Sequence, residues 1–68
     1  MEKDKTYGLR IQPIGEITEE ERSIDVLATN GEYWIKGIVT MSDEAYYECM
    51  DKDGTWIGYI THFAVLPK

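Results

Sequence analysis

A catalytic site needs a nucleophile, or a general acid and base, held within hydrogen-bond reach in a pocket that excludes water. The sequence offers few such groups, since His62 is the only histidine and Cys49 the only cysteine. The two residues fall on different predicted strands, and no sequence signature links them. A single cysteine of this kind is typical of a small buried hydrophobe. The sequence therefore predicts a protein that is not an enzyme and has no catalytic residue.

The segment Asp51-Lys52-Asp53-Gly54 has the Asp-x-Asp spacing found at the start of a calcium-binding EF-hand loop. An EF-hand also needs further oxygen ligands, an acidic residue at its twelfth position and flanking helices, and none of these follows here. Because Asp and Gly favour tight turns for backbone reasons, we interpret the segment as a hairpin turn. The glycines are scattered singly and form no phosphate-binding loop, so neither a metal nor a cofactor is expected.

Length and composition indicate one folded domain. A chain of 68 residues supports only one core, because a chain this short buries about 60% of its unfolded surface. We expect residues 1–5 to be a disordered N-terminus and residues 6–68 to form a single β domain. No apolar run approaches the roughly 18 residues of a membrane span, and no signal-peptide core follows Met1. A cytoplasmic location without a membrane partner is the simplest expectation.

The chain is acidic, with thirteen Asp and Glu against seven Lys and Arg and a formal net charge of −6. This charge opposes contact with a phosphate backbone, so direct nucleic-acid binding is disfavoured. The acidic residues concentrate in residues 16–25 and 43–53, each with a net charge of −4. Such charge suits solubility or attraction to a basic partner surface.

The strongest local signal is Asn30-Gly31, which favours a two-residue type I′ turn between residues 24–29 and 32–41. This turn predicts a hairpin that pairs Asp25 with Lys36 on its polar face. The other face would then be buried, and it collects Ile24, Val26, Ala28, Tyr33, Ile35, Val39 and Met41.

Three further segments show strand or loop signals. Residues 7–12 alternate between apolar and polar types, which predicts a strand that ends at Pro13. Thr18 and Glu21 have the spacing of a capping box, but the segment is too short for a stable helix, so we expect an acidic loop. Residues 62–66 offer Phe63 and Val65 as the buried pair of the last strand.

The turn at residues 51–54 predicts a second hairpin, in which Met50 lies near Trp56 and Cys49 near Ile57. Its buried face would hold Ala45, Tyr47, Cys49, Ile57 and Tyr59. Gly37 lies inside the third strand and predicts a bulge or a sharp bend. The expected fold is an all-β, small antiparallel meander of five or six strands, an SH3-like barrel or a strongly bent sheet. The alternative is an open five-stranded sheet that completes itself by dimerising.

The predicted register places a second set of apolar side chains on the face opposite the core. That set is Leu27, Trp34, Ile38, Tyr46, Met50 and Trp56. This face of a sheet is normally polar, and a contiguous exposed apolar patch usually marks an interaction site. The alternative is that strand bending covers these side chains as a second small core.

Carboxylates from both acidic segments border this face and complete the candidate partner-binding site: Glu19, Glu20, Glu21, Asp43, Glu44 and Glu48. Such a surface suits a partner whose own surface carries both basic and apolar side chains. The carboxylates would steer the encounter and the aromatic rings would hold the complex.

The first functional hypothesis is a protein-interaction module, a small acidic regulator or inhibitor that binds a basic surface such as that of a nucleic-acid-binding protein. Short acidic chains of this kind occur among phage and mobile-element proteins that block host factors, an analogy of size and charge. The second hypothesis is a structural protomer of a homo-oligomer, a homodimer included, or of a larger assembly. The third is a barrel that stacks single-stranded nucleic acid on its aromatic rings, which the net charge opposes.

Overall fold

The computed structural model describes residues 9–67, and within them the chain forms six β-strands and two short 3₁₀ turns. The strands are β1 (Gln12–Pro13), β2 (Val26–Thr29), β3 (Trp34–Met41), β4 (Tyr47–Met50), β5 (Trp56–Gly58) and β6 (His62–Val65). They pair antiparallel in the order β1-β6-β2-β3-β4-β5, which confirms the predicted all-β class. The 3₁₀ turns span Ile14–Glu16 and Glu21–Ser23. The predicted disordered segment, residues 1–5, lies outside the described residues.

Strand β3 belongs to both halves of the sheet. Residues 34–37 pair with β2, whereas residues 38–41 pair with β4. Gly37 lies at the junction, where an added Cβ would overlap the carbonyl oxygen of Met50 and come within 2.6 Å of its carbonyl carbon. The two backbones therefore approach more closely than any side chain allows, at the position where the sequence predicts a bulge or a sharp bend.

The two halves of the bent sheet share one core. Val26, Ala28 and Phe63 come from the β2 and β6 half, and Val39 and Cys49 come from the β3 and β4 half. Ile17 and Ile60 complete the core from the connections, and Ile14, Ile35, Tyr47, Ile57 and Val65 pack around it. Phe63 is the largest side chain that is fully buried.

The connection between β5 and β6 joins the two halves through backbone hydrogen bonds. The amide of Ile60 donates to the carbonyl of Tyr47 at 3.0 Å, and the amide of Thr61 donates to the carbonyl of Thr29 at 2.8 Å. The strands of residues 9–67 nevertheless do not close into a barrel. The fold is therefore the strongly bent sheet, and the closed SH3-like form is not reached.

The register of the first hairpin differs from the prediction by two residues. Ala28 pairs with Ile35, and Lys36 lies opposite Leu27, so the predicted pairing of Asp25 with Lys36 is wrong. The loop between β2 and β3 is longer than the predicted two-residue turn, and a side-chain oxygen stabilises it. The Oδ1 atom of Asn30 accepts hydrogen bonds from two amides, those of Glu32 at 2.9 Å and Tyr33 at 3.1 Å.

A shift of two residues keeps every side chain on its predicted face, because side chains alternate with a period of two. It does not keep every apolar residue buried. Ile24, Tyr33 and Met41 are exposed, since they lie at the ends of the pairing or beyond it, whereas Val26, Ala28 and Val39 are fully buried.

The second hairpin has the predicted register, with Met50 opposite Trp56 and Cys49 opposite Ile57. Gly54 takes the left-handed conformation with φ of 91°, and its amide donates to the carbonyl of Asp51 at 3.1 Å. The prediction that Tyr59 is buried is wrong. Regular pairing ends at Gly58, and Tyr59, which has a positive φ, is 65% exposed.

The capping box at the acidic loop is confirmed. The amide of Thr18 donates to Glu21 Oε1 at 2.9 Å, and the amide of Glu21 donates to Thr18 Oγ1 at 3.1 Å. These bonds hold only the 3₁₀ turn Glu21–Ser23, in agreement with a loop rather than a helix.

The structure confirms the last predicted strand but not most of the first. In the described part of residues 7–12 only Gln12 belongs to a strand, so the predicted strand is wrong over residues 9–11. Ile11 is exposed there. In β6 Phe63 is fully buried and Val65 is half-buried, as predicted.

Neither helical turn in residues 9–67 has the length and apolar character needed to span a bilayer. The cytoplasmic location stays a prediction.

The substitution Gly37→Ala tests the bend of β3. We expect the free energy of unfolding to fall by about 3 kcal/mol or more, because the overlapping atoms belong to a backbone and cannot move aside. Urea titration followed by circular dichroism measures it. Gly15→Ala is the matched control, since a Cβ there meets no atom within 4 Å. An unchanged midpoint for Gly37→Ala would contradict the close approach of the two backbones.

Candidate functional site

A row of apolar side chains crosses the convex face of the sheet. Directly paired residues of antiparallel strands share a face, and Ile38 pairs with Met50, which pairs with Trp56. Met50 is 51% exposed and Trp56 is 49% exposed. Together with Thr40, Glu48 and Asp51, these three side chains line an open groove of about 370 Å³, which we name the outer groove.

The second tryptophan borders a neighbouring depression. Trp34 is 46% exposed and lines a space of about 500 Å³ with Asp25, Ile35, Lys36, Asp51, Lys52 and Asp53. This depression and the outer groove share Asp51. Both tryptophans therefore lie at the surface and do not form a second buried core, but they line different depressions.

A third depression continues the surface on the other side of the outer groove. It has a volume of about 490 Å³ and is lined by Met41, Ser42, Asp43, Glu44, Tyr46 and Glu48, the last of which it shares with the outer groove. We name the three connected depressions the acidic strip, because six carboxylates and only two lysines line them. The carboxylates are those of Asp25, Asp43, Glu44, Glu48, Asp51 and Asp53.

One carboxylate of the strip, that of Asp51, stabilises a turn. Asp51 Oδ1 accepts hydrogen bonds from the amides of Asp53 and Thr55, both at 2.9 Å, and these bonds hold the turn of the second hairpin. The Asp-x-Asp-Gly segment is therefore a turn, as the sequence predicts. In residues 9–67 no group of three or more His, Cys, Asp or Glu side chains is placed to hold a metal ion.

Aromatic rings meet at the β5 edge of the outer groove. An added Cβ at Gly58 would lie 3.1 Å from two atoms of the Trp56 ring and 3.4 Å from the Tyr46 ring, so both rings occupy the space over this glycine. On its other side Tyr46 stacks on Tyr59, with ring centroids 4.1 Å apart and planes inclined by 18°. A glycine two residues after a tryptophan on the same face is the sequence signal for this packing, which our sequence reasoning missed.

The environment of Tyr46 raises the pKa of its hydroxyl above the ordinary value of 10.0. Burial raises the pKa of the Tyr46 hydroxyl, and the negative charge of Glu48 raises it further. Glu48 lies on the same face, directly opposite Gly58. The rings and the carboxylate of Glu48 thus lie side by side.

Eight of the twelve predicted partner-binding residues line the acidic strip: Trp34, Ile38, Tyr46, Met50, Trp56, Asp43, Glu44 and Glu48. The other four do not line these depressions. Leu27 is half-buried opposite Lys36, and Glu21 is engaged in the capping box. Glu19 and Glu20 are exposed on the acidic loop.

The two side chains that could do nucleophilic chemistry lie apart. Cys49 is fully buried in the core, whereas His62 is exposed with its Nδ1 atom 3.0 Å from Thr61 Oγ1. Burial, reinforced by the charges of Asp25 and Asp51, raises the pKa of the Cys49 thiol to about 11. A buried thiol that keeps its proton is a poor nucleophile. The absence of enzymatic activity stays a prediction.

We expect Cys49 in the folded protein to resist thiol reagents near neutral pH and to react within seconds in denaturant. The thiol keeps its proton in the folded state up to a pH of about 11, whereas in the unfolded state it ionises near its ordinary value of 9.0. The unfolding free energy should therefore fall as pH rises through this window, and the fall should be smaller in Cys49→Ala. Equal labelling rates with and without denaturant would contradict the burial of the thiol.

Replacing the tryptophans tests their exposure. We expect Trp34→Ala and Trp56→Ala each to lower the free energy of unfolding by no more than about 2 kcal/mol, because half of each ring is already in water. Phe63→Ala is the buried comparison and should lose about 3 to 5 kcal/mol. Urea midpoints of the three variants provide the measurement. Losses as large as that of Phe63→Ala would show that the tryptophans belong to a core.

The chain matches no protein-family model, no curated protein and no solved structure.

Proposed function

We propose that this chain is a non-enzymatic protein-interaction module, a small acidic regulator or inhibitor that binds a basic protein surface through the acidic strip. The observation that carries the proposal is the exposed row of Met50 and Trp56 on the convex face, with carboxylates on both sides. A basic surface that otherwise binds nucleic acid is the partner that this arrangement fits best.

The apolar part of the strip has the composition of a binding surface. Trp, Tyr and Met are enriched in protein interfaces, and Trp and Tyr dominate the residues whose loss weakens binding most. In this chain both tryptophans stay at the surface, while the fully buried core side chains are Phe63, Val26, Val39 and Cys49. Large apolar groups that remain in water without a structural need favour a role in binding.

The charged part of the strip defines the chemistry of the partner. Six carboxylates and two lysines line the strip, and the whole chain has a net charge of −6. Opposite potentials raise the rate of encounter and exclude partners of the same sign. A basic surface satisfies this condition, whereas a nucleic acid or a second copy of the strip does not.

A homo-oligomer is the second candidate, favoured by one observation. Strand β5 ends the sheet, so within the described residues one edge of it is unpaired, and this edge carries Trp56. An open edge can add a strand from another chain. The edge is only three residues long, which limits the hydrogen bonds that it can offer.

The test of the proposed function compares two charge reversals of equal size. A partner is captured from host lysate, purified and mixed with the protein. We expect Asp43→Lys with Glu44→Lys to slow association by about tenfold or more at low salt, because these carboxylates line the strip. Glu19→Lys with Glu20→Lys changes the net charge equally on a loop outside the strip, and the effect should be several times smaller. Stopped-flow measurement at several salt concentrations gives both rates.

Two outcomes would contradict the proposal. Equal effects of the two double variants would show that the net charge of the chain, and not the strip, attracts the partner. Sedimentation that reveals a stable homo-oligomer at micromolar concentration, dispersed by Trp56→Ala, would assign the convex face to self-association instead.

A further inference from the structure

We infer that the outer groove is a receptor for one arginine side chain of the basic partner. This inference rests on the proposed function and adds the identity of the group that the groove recognises. Three properties of the groove carry it: an apolar floor, an aromatic ring at one wall, and a carboxylate beside that ring.

The floor and the wall fit the length of an arginine side chain. Ile38 and Met50 form the apolar floor and Trp56 the wall of a space of about 370 Å³. Arginine carries a three-carbon stem that packs on apolar surface while its charged end reaches a polar group. The stem would lie on Ile38 and Met50, and the guanidinium would stack on the exposed part of the Trp56 ring.

The charge of the groove comes from two carboxylates, those of Glu48 and Asp51. Among residues 9–67 no lysine or arginine lines the outer groove. Asp51 Oδ1 already accepts two amide hydrogen bonds in its own turn. Glu48 lies opposite Gly58, directly beside the ring of Trp56 that covers this glycine. Glu48 takes part in a hydrogen bond with the Tyr46 hydroxyl, and its second oxygen is the acceptor for a guanidinium stacked on Trp56.

The arrangement of the rings favours a planar cation over a round one. Tyr46 and Tyr59 lie nearly parallel, inclined by 18°, and Tyr46 meets Trp56 over Gly58. The Tyr46 and Tyr59 rings cover each other, so the aromatic ring that lines the outer groove is that of Trp56, which is 49% exposed. A guanidinium stacks on a flat ring and pairs with a carboxylate in its own plane, and it is more weakly hydrated than an ammonium group. Lysine offers only a point charge to the same groove.

The test measures the affinity of hexa-arginine and hexa-lysine peptides for the protein at an ionic strength of about 0.15 M, where surface charge is partly screened. We expect hexa-arginine to bind about tenfold more tightly, with NMR shifts largest at the indole N–H of Trp56 and the methyl group of Met50. Trp56→Ala and Glu48→Gln should each reduce the affinity for hexa-arginine to that for hexa-lysine. Urea midpoints confirm that both variants remain folded.

Two variants outside the groove serve as matched controls. Trp34→Ala removes the other half-exposed indole, and Asp43→Asn removes a carboxylate from the neighbouring depression. Both should weaken the two peptides alike and leave the preference for arginine unchanged. A loss of preference in these controls equal to that in Trp56→Ala and Glu48→Gln would overturn the assignment to the outer groove.

The remaining outcomes separate this inference from the proposed function. Equal affinity of the two peptides, with shifts on the acidic strip, would overturn the arginine receptor and leave a binding surface for basic proteins. Shifts that avoid the strip for both peptides would overturn the receptor and contradict the proposed function as well.

Discussion

The approach of two backbones at Gly37 is the constraint on which the rest of the fold depends. At this point the amide plane of β3 lies against the carbonyl group of Met50, closer than any Cβ permits. Because β3 changes its partner there, from β2 to β4, the sheet turns back on itself and the two halves enclose one core. Met50 also lines the outer groove, together with Ile38, the residue that follows Gly37. The contact that bends the sheet therefore lies next to the groove.

The concave side of the sheet buries mostly aliphatic side chains. Val26, Val39 and Cys49 are fully buried, and Phe63 is the aromatic residue of the buried core cluster. Both tryptophans lie on the convex face because they alternate along their strands with the inward-facing residues Ile35 and Ile57. Carboxylates line the depressions beside them. Dense like charge keeps such a face soluble.

The carboxylates of this chain differ in their structural roles. Glu21 and Asp51 satisfy backbone amides in a capping box and in a hairpin turn, so their first task is local structure. Asp43, Glu44 and Glu48 line the acidic strip, and among residues 9–67 no side chain of opposite charge lines their depression. Asp51 belongs to both groups, since it also lines the strip. Net charge alone does not separate these local roles.

The sequence by itself determined the strand alternation, the register of the second hairpin and the capping box, because each depends on residues close together in the chain. It also predicted the aromatic and acidic residues of the convex face. The register of the first hairpin required the structure, since a shift of two residues leaves the alternation unchanged and Asn30 closes a wider loop than its Asn-Gly pair suggests. Likewise, only the tertiary structure decided that the tryptophans are exposed and that Tyr46 stacks on Tyr59, because these facts depend on how far the sheet bends and on the left-handed turn at Tyr59.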